Sequence, residues 1–178
     1  MIPGGNSWLG VLGGGQLGRM LSLDARRMGL KVLAWTGGDR SGAAATADQI
    51  IDSPFDDPGA LEEFTKKVQV ATVEFENLPQ ATLENVQSRV KLYPGTQAVT
   101  ICQHREREKN FLSKNGFACA KFRVAHDLNS FKQALLDLNC DVIVKTAEFG
   151  YDGKGQVRLK KSLTEEEIND AWNQFEGG

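Results

Sequence analysis

Apolar residues fall in short blocks separated by glycine-rich or polar breaks, and the character of the blocks changes along the chain. Trp8-Leu9-Gly10-Val11-Leu12 is an apolar run halted by three glycines, a pattern that predicts a buried parallel strand. Leu17, Met20, Leu21, Leu23 and Ala25 then recur at roughly helical spacing until Gly29, a helix stop. Lys31 to Trp35 predicts a second strand, ended by Thr36-Gly37-Gly38-Asp39, and Gln49 to Asp52 a brief third. From Pro58 to Val68, Leu61, Phe64 and Val68 share one face of a short helix. Val70 to Glu76 predicts a fourth strand that runs into Asn77-Leu78-Pro79. Strands alternating with helices give an α/β class with a parallel sheet and right-handed crossovers.

The pattern changes near Tyr93-Pro94-Gly95, so two domains are expected, 1–98 and 99–178. The second half predicts a helix from about Gln103 to Asn115, closed by Gly116, and a short strand from Phe122 to Ala125. A helix from Asn129 to Leu138 follows, with Leu128, Phe131, Leu135 and Leu138 in period. Asp141 to Thr146 and Gln156 to Lys160 read as strands joined by a glycine-rich loop. Thr164 to Phe175 is the last helix, with Glu165 to Glu167 in the first turn, where the helix dipole favours acids.

Composition removes function classes without choosing one. Apolar residues make up 40% of the 178 and charged residues 25%, enough for a globular chain that buries a core. With 21 basic and 23 acidic side chains the net charge is −2, and no run of one sign marks a nucleic-acid surface. No stretch approaches the roughly 20 apolar residues that cross a bilayer, so no membrane partner is expected, and nothing reads as a signal peptide. Cys102, Cys119 and Cys140 are odd in number and widely spaced, against a disulfide scaffold or a zinc site. Reduced thiols in a cytoplasmic protein are the expectation.

Two glycine loops carry the candidate chemistry. Gly13, Gly15 and Gly18 fit Gly-x-Gly-x-x-Gly between a strand and a helix, where backbone amides can approach a phosphate. A tight strand-to-helix turn would use the same glycines. A nicotinamide cofactor needs an acid about 20 residues on, at the end of the second strand. That place holds Ala34-Trp35-Thr36-Gly37, and the first acid is Asp39, so the dinucleotide reading weakens. In the second loop, Lys145 ends a strand and Gly150-Tyr151-Asp152-Gly153-Lys154-Gly155-Gln156 leads into the next. Glycines so spaced let a strand-loop-strand fold over a nucleotide's phosphates while lysines supply countercharge. A solvated hairpin is the alternative, and no Walker motif is present. Glu74 and Glu76, two apart on one strand face, would lie about 7 Å apart, a glycosidase-like spacing, but a strand end beside a loop is more often a binding position. Cys102 and His104 do not face each other on a helix, and His126 reads as a surface or capping residue.

Three stretches together resemble one family. Gly13-Gly14-Gly15-Gln16-Leu17-Gly18-Arg19-Met20, Glu74-Phe75-Glu76-Asn77-Leu78-Pro79 and Gly150 to Gln156 are similar, in order and spacing, to the 5-(carboxyamino)imidazole ribonucleotide synthases of the ATP-grasp superfamily. The resemblance implies a Rossmann-like pre-ATP-grasp domain followed by part of an α+β ATP-grasp domain. It implies that ATP phosphorylates bicarbonate to carboxyphosphate, and that the carboxyl group passes to the amine of aminoimidazole ribonucleotide in purine biosynthesis. Gly15, Gln16 and Leu17 would hold the ribonucleotide, with Glu74 or Glu76 contacting the same substrate. Tyr151 and Lys154 would reach the substrate and phosphates as the catalytic pair. Arg105 and Lys145 would be cations near ATP, and Gly150, Asp152, Gly153, Gly155 and Gln156 would complete its covering loop.

Departures from the family pattern are His104 for an Asp, Glu148-Phe149 before Gly150 for a basic residue and a glycine, and Thr36 for an Asp. Family members continue for roughly as many residues again, and that part supplies the Mg2+ ligands. The chain is therefore expected to be an N-terminal part, inactive alone, of an enzyme that is a homodimer at full length. The rival readings are a noncatalytic nucleotide-binding module, another ATP-grasp ligase, and an NAD-dependent oxidoreductase.

Overall fold

In a computed structural model, which describes residues 7–148, 150 and 155–175, the chain divides into two units, Met1–Thr100 and Ile101–Gly178. The first holds a five-stranded, wholly parallel sheet in the order β3-β2-β1-β4-β5. The strands are β1 (Trp8–Leu12), β2 (Lys31–Trp35), β3 (Gln49–Ile51), β4 (Val70–Val73) and β5 (Lys91–Tyr93). Helices α1 (Gln16–Arg27), α2 (Pro58–Lys67) and α3 (Gln80–Gln87) connect them, with a 3-10 turn at Ala43–Ala45 and α4 (Thr96–Cys102) after the last strand.

Side chains that alternate along β1 and β2 feed two separate layers, as a sheet covered on both faces requires. Val11, Val32 and Ala34 pack with Ala25 of α1 and Ala43. Leu12, Leu33 and Trp35 face the other way, onto Leu61 and Phe64 of α2 and Leu83 and Val86 of α3. Gly10 matters to this second layer. A Cβ there would sit 2.4 Å from Phe64 Cζ, so the absent side chain is the space the ring fills. Trp35 closes the layer with its ring 5.5 Å from Phe55 and 5.8 Å from Phe64, and its indole N–H donates to the Ser53 carbonyl at 2.8 Å. Asp57 starts α2 by accepting from the amides of Gly59 (2.8 Å) and Ala60 (3.2 Å), with Pro58 as first helical residue.

Sheet order places the site. β1 is flanked by β2 on one side and β4 on the other, so successive connections leave it in opposite directions. Such a switch point opens a crevice beyond the carboxyl ends of the strands. The loops after β1, β2 and β4 meet there.

Three parts of this unit differ from the expectation. The fourth strand ends at Val73, because its partner β1 ends at Leu12. Glu74 donates its amide to the Leu12 carbonyl (2.8 Å) and the chain then bends through Glu76, so the two acids do not share a strand face. Helices α3 and α4 and strand β5 were not anticipated. They are short, and β5 has one buried side chain, Leu92, too little for a periodic signal.

The second unit contains α5 (Arg105–Lys114), α6 (Leu128–Leu138), the antiparallel pair β6 (Val142–Lys145) and β7 (Gln156–Leu159), and α7 (Glu165–Asn173). Phe131, Leu159 and Ala171 form its core with Leu135, Val142, Val144, Val157 and Trp172 around them. Asp127 with Ser130, and Thr164 with Glu167, make reciprocal capping boxes that fix where α6 and α7 begin. The strand expected at Phe122 to Ala125 is not formed. β6 and β7 pair only with each other among the described residues, and Ala125 packs against the core from irregular chain.

Candidate functional site

The first glycine turn is built from backbone pressed on backbone. Gly13 has φ +125°, a conformation that only glycine adopts readily, and its amide donates to the Trp35 carbonyl at 2.8 Å. A Cβ on Gly14 would stand 1.9 Å from the Asp39 carbonyl oxygen. Gly14 in turn accepts from the amides of Gly42 (2.9 Å) and Ala43 (2.8 Å). The segment between β2 and the 3-10 turn therefore lies directly across the turn.

One amide at the N-terminal end of α1 is engaged by a side chain of the protein. Gly15 is the N-cap of α1, and its amide donates to Glu74 Oε2 at 3.3 Å. Cβ atoms on Gly13 and Gly15 would fall 2.5 and 2.6 Å from the same carboxylate. The glycines thus make room for Glu74, delivered from the bend after β4. A phosphate in that place would meet a like charge, at a cost of about 1 to 4 kcal/mol at contact distance depending on local dielectric. A carboxylate there can instead accept from hydroxyls or an amine.

Other residues singled out for this loop fall nearby but play different parts. Gln16 and Leu17 are exposed in the first turn of α1, beside Gly15. Glu76 is exposed in the bend, two residues past Glu74. Thr36 is buried, and its hydroxyl donates to Asp52 Oδ1 at 2.6 Å. Arg40 Nε donates to Asp52 Oδ2, also at 2.6 Å. The Thr36 hydroxyl and then Arg40 hold the Asp52 carboxyl below the usual carboxylate range. An acid does lie at this corner of the sheet, but it comes from the end of β3 and its oxygens are engaged. Position alone could not reveal it, because register decides which strand end supplies the carboxylate.

The second candidate region is the open face of the β6/β7 pair. Val142, Val144, Val157 and Leu159 pack inward, so Ile143, Lys145, Gln156 and Arg158 point outward. Register pairs Ile143 with Arg158 and Lys145 with Gln156. The result is a small exposed surface with an apolar patch, Ile143 being 58% exposed, beside two cations. Neither Ile143 nor Arg158 was singled out from the sequence; alternation along β6 is the signal that marks Ile143 as outward-facing, and register adds Arg158. Gly155 has φ +64° and would crowd Thr146 Oγ1 at 2.7 Å with any Cβ, while its carbonyl accepts from the Thr146 amide at 2.9 Å.

Arg105 belongs to the same region by contact. Its amide donates to the Ala147 carbonyl (2.9 Å) and its guanidinium to the Gly150 carbonyl (3.0 Å), which ties the start of α5 to the root of the loop. Arg107 lies 3.9 Å from Glu148, so the carboxylate that replaces a basic residue has a partner. His104 is the N-cap of α5 without a side-chain cap bond. Tyr151, Asp152, Gly153 and Lys154 lie outside the described residues. Among the described residues no three His, Cys, Asp or Glu side chains converge as metal ligands, and no helix is long and apolar enough to cross a membrane. None of the three cysteines forms a disulfide among the described residues.

Comparison with known proteins agrees with this layout. Residues 7–103 match the ribonucleotide synthetase preATP-grasp domain, and residues 110–178 the ATP-grasp domain. An N5-carboxyaminoimidazole ribonucleotide synthase of Brucella melitensis is 39% identical over 153 residues, which are 86% of this chain and 42% of the relative. The crystal structure of the Staphylococcus aureus N5-carboxyaminoimidazole synthetase with ADP has a TM-score of 0.88 at 30% identity, over 99% of this chain and 46% of that one. The Aspergillus clavatus synthase with ADP and 5-aminoimidazole ribonucleotide has a TM-score of 0.77 at 29% identity, over 94% and 44%. The chain thus spans less than half the length of these relatives.

Proposed function

The chain belongs to the ribonucleotide synthetase pre-ATP-grasp family, and from that premise we propose that it carries the ribonucleotide-binding turn and an ATP-facing strand pair of an enzyme that carboxylates 5-aminoimidazole ribonucleotide in purine biosynthesis. The observation that carries the reading is the Glu74 carboxylate seated on the Gly15 amide at the sheet's switch point. An acceptor in that position suits a ligand that presents hydroxyls and an amine, and it disfavours a dinucleotide's pyrophosphate. Relatives of this chain are named for a reaction on such a ribonucleotide, and one was crystallised with it.

In this reading Glu74 is the acid that contacts the ribonucleotide, with Gly15, Gln16 and Leu17 around it and Glu76 at the rim. Lys145 and Arg105 are cations toward ATP phosphates. Ile143 supplies an apolar surface for the base, and Gly150, Gly155 and Gln156 frame the covering loop with Asp152 and Gly153. Tyr151 and Lys154 reach the reacting groups. ATP supplies the phosphoryl group that bicarbonate takes up as carboxyphosphate. The ribonucleotide amine then attacks the carboxyl carbon, phosphate leaves, and the amine loses a proton. The protein's share is charge compensation by fixed cations and exclusion of water from a labile acyl phosphate. The ligands of the Mg2+ that accompanies ATP are assigned, in this reading, to the part of the relatives that this chain does not span. A cytoplasmic location and a homodimeric whole enzyme complete the reading.

Calorimetric titration of the chain with aminoimidazole ribonucleotide, a nonhydrolysable ATP analogue and NAD tests it. Saturable binding of the first two is expected, and Glu74→Ala should abolish the first alone. Saturation by NAD with no response to the ribonucleotide would overturn the reading.

A further inference from the structure

The segment that crosses the first glycine turn holds itself by two short-range bonds, the Asp39 amide to the Thr36 carbonyl (3.2 Å) and the Ser41 amide to Asp39 Oδ1 (2.8 Å). Gly37 and Gly38 both have positive φ, +62° and +96°, and Gly42 has no room for a side chain, since a Cβ would meet the Gly15 carbonyl oxygen at 2.1 Å. The side chains that tie the segment to the rest of the sheet act from the β2 and β3 end. The carboxylate of Asp52 takes the Thr36 hydroxyl on one oxygen and Arg40 on the other. The Thr36 oxygen also accepts from the Gly38 amide at 3.3 Å. From the far end, Gly42 and Ala43 donate to the Gly14 carbonyl.

We propose that Asp52, at the end of β3, is a positioning residue for the ribonucleotide turn, acting through Arg40 and Thr36 to hold the crossing segment against Gly14. The proposal rests on the functional reading above for its ligand, but the mechanical link stands on the geometry alone. A carboxylate bound to donors on two residues four apart pins the segment at both places. Where the two backbones touch without intervening side chains, slack in the segment passes directly to Gly14 and Gly15. Asp52 itself need not touch the ligand.

The test has one arm without ligand and one with it. Amide hydrogen exchange on the full chain is compared for wild type, Asp52→Ala and Asp52→Asn. Exchange at Gly42 and Ala43 should quicken about tenfold in Asp52→Ala, with Ala34 in β2 unchanged. Asp52→Asn keeps an acceptor for Thr36 and should give a smaller rise. Unchanged rates at Gly42 and Ala43, or an equal rise at Ala34, would overturn the proposal. In the ligand arm, Asp52→Ala should weaken aminoimidazole ribonucleotide about tenfold and leave the ATP analogue's affinity as in wild type. Equal ribonucleotide affinity in the two proteins also overturns it. Failure of the wild-type chain to bind the ribonucleotide would refute the functional reading, and the exchange arm would still decide the link.

Discussion

Adding one methyl group at Gly14 should be among the most damaging small changes in the first unit. Its backbone is not in the left-handed region, so the effect of Gly14→Ala is purely steric. The new Cβ would sit 1.9 Å from the Asp39 carbonyl oxygen and 2.8 Å from its carbon, against 3.4 Å for ordinary contact. Both are backbone atoms, so no rotamer change relieves the clash. Overpacking of this kind costs about 1 to 3 kcal/mol. If the segment lifts off, the amides of Gly42 and Ala43 also lose the Gly14 carbonyl, at about 1 kcal/mol each. The expected loss is about 3 kcal/mol. At about 4 to 8 °C per kcal/mol for a unit of this size, the melting point of the first unit should fall by about 12 to 24 °C. Gly18→Ala is the control. Its Cβ would meet Ala43 Cβ at 3.1 Å and Glu74 Cγ at 3.3 Å, with the nearest backbone atom, the Gly13 carbonyl oxygen, at an ordinary 3.6 Å, and alanine gains about 1 kcal/mol of helix propensity. Thermal denaturation followed by circular dichroism should leave it within about 1 kcal/mol of wild type. Equal stability of the two variants would refute the packing of the crossing segment on the turn.

Other consequences are open to direct measurement. Phe64→Ala removes the ring that fills the Gly10 gap and should cost about 3 to 5 kcal/mol in urea denaturation; a loss below 1 kcal/mol would mean the layer collapses around the void. Asp52, Asp57, Glu62, Asp127, Asp137 and Asp141 are all held below their ordinary carboxylate values by hydrogen bonds, from the Thr36 hydroxyl for Asp52 and from the Ala60 amide for Asp57. The unfolded chain therefore binds more protons than the folded one near pH 4. Their stabilisation is complete above about pH 5, beyond the unfolded values, and is lost as pH falls through the folded values, so urea midpoints should drop between about pH 5 and 2. A flat profile over that range would contradict the assignment. Lys145→Ala should weaken the ATP analogue about tenfold without affecting the ribonucleotide; an unchanged ATP-analogue affinity would remove Lys145 from the nucleotide face.

What could be read from the chain alone followed from periodicity and glycine. The runs at Trp8 and Lys31 are apolar on both faces because β1 and β2 are interior strands, and both were legible as buried strands. The strand that did not form, at Phe122, had the apolar residues, but among the described residues β6 and β7 pair only with each other, a tertiary fact. Gly13, Gly15 and Gly18 announced a close approach without saying of what. The approaching group is Glu74, 59 residues from Gly15 in sequence, and parallel pairing of β1 with β4 brings it in. Asp52 was hidden for the same reason. Lys145 and Gln156 share an exposed face because β6 and β7 pair in register, whereas Tyr151 and Lys154 lie beyond the described residues.

A doubly wound sheet of this kind is a general-purpose socket, and here one of its own acids serves as the plug. Converting it to accept a dinucleotide would call for replacing Glu74 and for an acid at the end of β2, not for more glycines, since the three that such ligands require are already in position. On the reading proposed above, the carboxylate reached from the adjacent strand bears on which ligands the turn admits.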